Sequence, residues 1–471
     1  MSVEIKVLSH ACMLVKSDTH SIIVDPWLVG SCYWRSWWNF PEASFDEDEL
    51  SEVDAVLISH LHWDHWHGPT LKKYFKEKTV IISEDPNTRS FDDLVSIKFT
   101  DIRRIKHGKS INIGNIKITY YHFGLFLTDV AMIIEVDGIS ILNANDCKVA
   151  GISLDKIIKN HKPIDFAFRS HSSANSRVCY EVLNHKSYKH DDREHYFRSF
   201  KLFMDKVKPK YAVPFASNHC HLIDDAFHFN EYISDPLELR NWIQNHETIW
   251  KTQVMLPGSS WSSEKGFILA KETPFLNKMQ TLDLYRIKVK EKLDFNNQKE
   301  LKVKVDDRFI ERFKVFLKMA GVKKISINIR FLLTSPDKFQ NQSILITNQG
   351  VILNQNKSEK PDVEEALIIM PKIVFRDSVI KNMFSHAFIS KRCKFITHTE
   401  DDMFKLQKFN SKIENFELIV KPLKSLYLIR VFSGYCLRWR EVFVYFQAYF
   451  LLKIKKLELY EIEEVLLKNK K

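Results

Sequence analysis

The seven cysteines include no Cys-x-x-Cys pair, and their scattered, odd-numbered placement argues against a disulfide framework and against a cysteine-held zinc or redox centre. No apolar run is long enough to span a bilayer. The longest candidate, Val442 to Leu452, is about eleven residues, contains Gln447 and is flanked by Arg438, Arg440 and Lys453. The first 25 residues lack the basic and apolar regions of an export signal and read as short strands and turns. A cytoplasmic protein is the expectation. Basic residues are nowhere interleaved with stacking aromatics as in an RNA-binding module, so no nucleic acid is expected. What is present is ordinary for a globular protein, with 45% apolar and 27% charged residues. A chain of 471 residues is long for one core, so two domains are expected, with the boundary near residue 270. A net charge of +11 leaves an anionic small substrate or a membrane surface open as partners.

One stretch does not read as packing. After the apolar, β-branched run Val53 to Ile58, which predicts a buried strand, the chain continues Ser59-His60-Leu61-His62-Trp63-Asp64-His65-Trp66-His67-Gly68. In an extended segment His60 and His62 project to the same side, so both imidazoles can reach one ion. Asp64 and His65 follow where the chain turns into a helix expected over Pro69 to Phe75, and can serve a second ion nearby.

The same relation recurs along the chain. Ser21 to Val24 ends in Asp25-Pro26. Ile116 to Tyr121 ends in His122. The pair Val130 to Val136 and Ile139 to Ala144, joined across Asp137-Gly138, runs out into Asn145-Asp146. A helix from Ser153 to His161 precedes the strand Ile164 to Phe168, which ends in Arg169-Ser170-His171. An amphipathic helix from Arg193 to Val207 precedes Tyr211 to Phe215, which leads to His219 and His221. Five strand ends thus deliver His60 and His62, His122, Asp146, His171 and His219, most simply explained by one metal centre. Residues 27 to 41 are dense in aromatics, Trp37 and Trp38 among them, and read either as a loop over the core or as a substrate-pocket wall.

With these residues in place, roughly residues 1 to 265 resemble the metallo-β-lactamase superfamily. His60, His62, Asp64 and His65 match its His-x-His-x-Asp-His motif, Asp25 its first motif, His122 its third and Asp146 its fourth. At the fifth, Ala216 stands where a histidine is expected, and His219 or His221 substitutes. The opening residues (Ser9-His10-Ala11, then Asp25-Pro26-Trp27) are similar to the branch holding ascorbate-6-phosphate lactonase, N-acyl-phosphatidylethanolamine phospholipase D and the non-Rieske part of CMP-N-acetylneuraminate monooxygenase. The resemblance implies an α/β fold, a four-layer αββα sandwich, over residues 1–270.

It also implies two Zn²⁺ ions, with iron or manganese as replacements. One is expected on His60, His62 and His122, the other on Asp64, His65 and His219, with Asp146 bridging. A hydroxide between them would attack a phosphodiester, ester or lactone of an anionic, sugar- or lipid-linked substrate. Asp25 would orient a ligating imidazole or the hydroxide. Arg169 is assigned to an anionic group or to a structural pair with Asp224 or Asp225. His171 is assigned to substrate contact or proton donation. Ser172 and Asn175, in the polar loop after it, and Trp37 and Trp38 are the further substrate contacts expected. His10 lines the same cleft. The alternative is an oxidoreductase component using iron. The chain has no Cys-x-His followed by Cys-x-x-His, so a separate Rieske partner would carry the cluster.

Residues 271–471 read as an α+β accessory domain that resembles sterol-carrier-like domains in its pattern or serves oligomerisation. Leu301 to Val305, Lys324 to Leu333, Gln342 to Thr347, Val351 to Asn354, Val363 to Met370 and Pro371 to Phe375 are expected strands. Asp377 to Phe388 is an expected helix, and Leu426 to Lys470 one or two amphipathic helices whose Lys453, Lys455 and Lys456 are solvated or touch anionic lipid.

Overall fold

The structure is a computed structural model that describes residues 2–85, 88–124, 129–172, 174, 176–185, 192–354, 356–418, 432–457 and 459–468. Two sheets face one another. The first orders its eight strands Gly266–Ile268, Ser260–Ser262, Glu4–Val7, Met13–Lys16, Ser21–Val24, Ala55–Leu57, Thr79–Ser83 and Ile102–Ile105. The second orders seven: Lys251–Thr252, Tyr211–Phe215, Phe166–Ser170, Ile139–Asn145, Asp129–Val136, Ile116–Phe123 and Lys109–Ile113.

Alternation along each strand sends one set of side chains between the sheets and the other outward. Val24, Leu57 and Ile81 meet Tyr120, Met132 and Phe168 in the inner layer. Outward residues of the first sheet, Ile23, Val56 and Val80, pack with Leu71, Phe75 and Leu94. Those of the second, Leu142, Ala167 and Ala212, pack with Leu154, Phe200 and Phe203. Strands covered on both faces must be apolar on both, which is why Val53 to Ile58 reads as a continuous apolar run. The result is the four-layer αββα sandwich.

The parallel strands set the working edge. Ser21–Val24, Ala55–Leu57 and Thr79–Ser83 run parallel in one sheet, and Ile139–Asn145, Phe166–Ser170 and Tyr211–Phe215 in the other. Their carboxyl ends open on one side, the usual place for chemistry in such sheets. A three-stranded sheet, Ser31–Cys32, Trp37–Asn39 and His219–His221, folds the aromatic segment onto that edge.

The later part of the chain builds a six-stranded sheet in the order Tyr180–Val182, Lys394–Thr397, Glu365–Pro371, Asn328–Thr334, Gln342–Thr347 and Gly350–Asn354. Its first strand comes from the earlier half. Phe313, Phe331, Phe375 and Phe384 form its core with Ile310 and Leu406. Two expected strands do not form: Leu301 to Val305 is irregular beyond its first residue, and Lys372 onward is helical. Leu301 to Val305 begins at the last residue of the helix Lys278–Leu301, whose only buried residues are Leu282, Val289, Asn296 and Glu300, too few to leave an apolar stripe in the sequence. Pro371 ends a strand and caps the helix Lys372–Lys381, since its ring cannot continue the ladder. The last helices, Trp439–Lys453 and Leu459–Leu467, return to the sandwich and pack on Gly151–His161 and Arg193–Val207 respectively.

Candidate metal centre

Asp25 is fully buried and sits in the left-handed region at φ 46°. Its carboxylate accepts from Ser59 N at 2.7 Å, Ser59 Oγ at 2.7 Å and His65 Nδ1 at 2.9 Å, and from the Asn145 amide. Asn145 at φ 47° and Ala216 at φ 49° share that uncommon conformation at the carboxyl ends of two strands of the second sheet, with Phe166–Ser170 between them. Non-glycine residues hold it at a cost of order 1–3 kcal/mol each. Such strain clusters where a backbone must aim a side chain, and here it surrounds one imidazole. With Nδ1 fixed on Asp25, His65 directs Nε2 into the cleft.

Two overlapping donor groups meet at that atom. His10, Asp64 and His65 form one, and His60, His65 and Asp146 the other, with the ligand atoms of each group within 4.8 Å of one another. His10 Nε2 lies 3.1 Å from Asp64 Oδ2, while His65 Nε2 lies 3.5 Å from Asp64 Oδ2 and 3.3 Å from Asp146 Oδ2. The Tyr33 hydroxyl donates to the second Asp64 oxygen at 2.5 Å. Burial opposes a charged His65, yet Asp64, Asp25 and Asp146 outweigh it and lift its pKa well above the ordinary value. Burial likewise opposes a charged Asp64, and His65 and His10 hold its carboxyl well below the usual range. Burial pushes the His60 pKa well down, and His65 and His62 add to this against a smaller opposing pull from Asp64. Buried carboxylates that stay ionised and hold a proton on His65 make this a site built for positive charge.

His62 Nδ1 is 2.9 Å from His60 Nε2, and its pKa is pushed down to about 4, first by burial and then by His386. His219 stacks on Trp37 at 3.6 Å and 3°, stands 5.5 Å from His10, and has no hydrogen-bond partner on either ring nitrogen among the described residues. His221 instead hydrogen-bonds Ser36 Oγ at 3.0 Å. Of the two fifth-motif candidates, His219 is the one whose ring faces His10, and neither it nor His62 is a member of the two donor groups.

Other expected residues lie elsewhere. His122 joins neither donor group: its Nε2 bonds the Ile105 carbonyl at 3.1 Å, and burial followed by Arg438 pushes its pKa down. Its strand is two positions from the one ending at Asn145, about 10 Å at ordinary strand spacing. Arg169 is 1% exposed and turns to the helical layer, donating to Glu463 at 2.7 Å and Ser199 at 3.1 Å over the Phe203 ring. An anionic substrate would have to displace that carboxylate, so the anion-binding assignment is replaced by an internal ion pair. The suggested partners are taken as well, Asp224 by Arg286 and Asp225 by Arg392.

His171 is completely buried, and burial pushes its pKa down to about 3, so at neutral pH it is an uncharged imidazole rather than the imidazolium that proton donation calls for. The Ser172 hydroxyl accepts from Ser234 N at 3.1 Å, bracing the loop. Trp38 points away from Trp37, as period-two alternation requires, and packs near Tyr285. Asn175 lies outside the described residues.

Three contributors were not legible. Tyr33 belongs to the aromatic segment but shows its role only through Asp64. His386 comes from the short helix Phe384–Ile389, its ring 5.5 Å from His62, 5.1 Å from Trp63 and 5.7 Å from Tyr33. Asp129 opens a strand rather than closing one. Because Asp129–Val136 is antiparallel to Ile139–Asn145, its start shares the working edge. Burial and then the Asp146 charge raise its carboxyl to about 7. Antiparallel geometry was the signal that could have found it.

The donors fit borderline divalent ions, which take imidazole nitrogen together with carboxylate oxygen. His65 Nε2 and both His219 nitrogens are buried without a hydrogen bond among the described residues, a cost that a cation would relieve.

This fold with a His-carboxylate cluster at the strand ends defines a class. Residues 4–161 match the model of the beta-lactamase superfamily domain, and the chain carries a metallo-β-lactamase-fold domain there. Over 152 residues it is 32% identical to cytidine monophosphate-N-acetylneuraminic acid hydroxylase of Xenopus laevis, a match covering 31% of this chain and 26% of that protein. The hydroxylase of Pongo pygmaeus is 34% identical over 152 residues, covering 31% and 26%. The chain thus spans about a quarter of the length of the curated relatives it matches. Among solved structures, the metallo hydrolase Igni18 from Ignicoccus hospitalis aligns with 56% of this chain and 98% of its own at 17% identity and TM-score 0.38. CmlA, a diiron β-hydroxylase from Streptomyces venezuelae, aligns over 55% and 53% at 16% identity and TM-score 0.37.

Proposed function

We propose that this protein is a metal-dependent hydrolase acting on a phosphodiester, ester or lactone of an anionic, sugar- or lipid-linked small molecule. The observation that carries the reading is the pair of donor groups sharing His65. His60, His65 and Asp146 would hold one divalent ion with His62 alongside, and Asp64 and His10 a second with His219 alongside. Such a pair, zinc or iron or manganese, acidifies a water and polarises the oxygen of the group attacked. The chain's own residues do the rest. Asp25 keeps the His65 proton on Nδ1, so that Nε2 presents its lone pair. Tyr33 fixes the carboxylate of Asp64 by its hydroxyl, leaving the other oxygen for the cleft. Trp37 holds the plane of His219 by stacking, and Trp63 and His386 wall the side beside His62.

Metal analysis of the purified protein together with hydrolysis of bis(p-nitrophenyl) phosphate tests the reading. Stoichiometric divalent metal and turnover are expected, and His60→Ala should lose both. A His60→Ala protein with full metal content and full turnover would overturn it.

The relatives that match at 32–34% identity are named as hydroxylases, which favours a second reading. In it the same residues hold iron in an oxidoreductase component that receives electrons from a separate Rieske partner. Redox-active iron, and no turnover of the phosphodiester, would select that reading.

A further inference from the structure

The helix Trp439–Lys453 presents an aromatic face that nothing in the described chain covers. Trp439 is 53% exposed, Phe443 46%, Phe446 69% and Phe450 51%, and Ile454 just beyond the helix is 65% exposed. At 100° per residue the four aromatics fall within an arc of about 60°. Side chains of this size are normally turned inward, so a contiguous exposed patch of them marks an interaction surface.

The opposite side of the helix is tied down. Val444 is buried, and a Cβ added at Gly151 would stand 3.0 Å from its side chain, tighter than an ordinary contact. The buried Glu441 carboxylate accepts from Arg438, from Gly124 N at 2.7 Å and from the Tyr445 hydroxyl at 2.6 Å. Rolling the helix to hide its aromatics would break that network, so the face is held outward. Alongside it, a groove of about 720 Å³ lined by Phe443, Phe446, Phe450, Ile152 and Leu466 extends the apolar surface.

The charge around the patch identifies the occupant. Lys453, Lys455 and Lys456 are exposed at the end of the helix, and they form no ion pair among the described residues. Arg440 stacks on Trp439 at 4.4 Å at the other end. A dimer interface is depleted in lysine, whereas a helix lying in a bilayer interface combines Trp and Phe on one face with Lys and Arg beside it. No helix of the described residues is long and apolar enough to cross a membrane. We propose that this face is a docking surface for an anionic phospholipid bilayer, on which the helix lies parallel to the membrane plane. Its aromatics enter the acyl boundary and Lys453, Lys455 and Lys456 meet the lipid phosphates and carboxylates.

Flotation of the full chain with phosphatidylcholine vesicles, with and without phosphatidylserine, tests this. Binding is expected only with phosphatidylserine and should weaken as salt is raised. Each lysine near such a surface contributes about a five-fold gain, so Lys453→Gln, Lys455→Gln and Lys456→Gln together should weaken binding about a hundred-fold. Phe446→Ser with Phe450→Ser should abolish flotation at an unchanged melting temperature, since both side chains are exposed. Absence of flotation of the unsubstituted chain, or flotation of either variant equal to that of the unsubstituted chain, would overturn the proposal. A dimer by light scattering that the Phe446→Ser, Phe450→Ser variant dissociates, with no vesicle binding, would overturn it in favour of a second copy of the chain.

Discussion

Replacing Asp25 by Asn separates the fold from the centre it aims. Asparagine tolerates φ 46° at least as well as aspartate, so the backbone needs no adjustment. Its remaining carbonyl oxygen can still accept from Ser59 N, now at 2.7 Å. The other oxygen becomes an NH₂ group facing the His65 Nδ1 proton, the Asn145 amide and the Ser59 hydroxyl, of which only the hydroxyl oxygen can accept, and it can take one of the three donors at most. Leaving one such buried donor unsatisfied costs about 1–3 kcal/mol. The cheapest escape is for His65 to move its proton to Nε2, and that removes the lone pair aimed between Asp64 and Asp146. Loss of an orienting hydrogen bond of this kind typically weakens metal binding 10–100-fold, about 1.4–2.7 kcal/mol. Competition of purified protein against a chromophoric zinc chelator measures the affinity, and urea unfolding of the metal-free protein measures stability. The expected result is a 10–100-fold loss of affinity with a stability loss near 1–3 kcal/mol. Affinity within two-fold of the unsubstituted chain would refute the orienting role of Asp25.

Two further expectations concern the fold. Glu463→Ala strands the Arg169 guanidinium, 1% exposed, without its carboxylate, and should destabilise the protein by about 3–5 kcal/mol in urea unfolding, against little change if the pair were solvated. Metal-free protein should also be acid-labile. Burial holds His171 and His221 neutral in the folded state down to about pH 3, whereas an unfolded imidazole takes its proton near pH 6.5. The unfolded chain binds the extra protons, so their contribution is complete above pH 6.5 and shrinks as pH falls toward 3. His65 and Asp129, which the folded state holds protonated to higher pH than the unfolded chain does, act in the opposite direction over this range. The depressed imidazoles, His62, His67 and His107 among them, outnumber the two opposing groups, so the urea denaturation midpoint should be lower at pH 5 than at pH 7, and equal midpoints would contradict it.

The sequence by itself determined the sandwich and the centre's location. Strands buried on both faces must be apolar on both, so Ser21–Val24, Ala55–Leu57 and Tyr211–Phe215 announce themselves, and polar residues just beyond their ends mark the edge where they stop. His60, Asp64, His65 and Asp146 could be found this way because strand ends are local. Membership was decided by tertiary structure. Whether His122 reaches the cluster depends on how many strands intervene, and Arg169 was captured by a carboxylate 294 residues away. Asp129 enters because an antiparallel neighbour begins where its partner ends. His386 enters because a distant helix settles over Trp63. Periodicity along the chain encodes which face of an element a side chain occupies. Which neighbour that face will meet depends on packing between segments far apart in sequence, and no local pattern contains it.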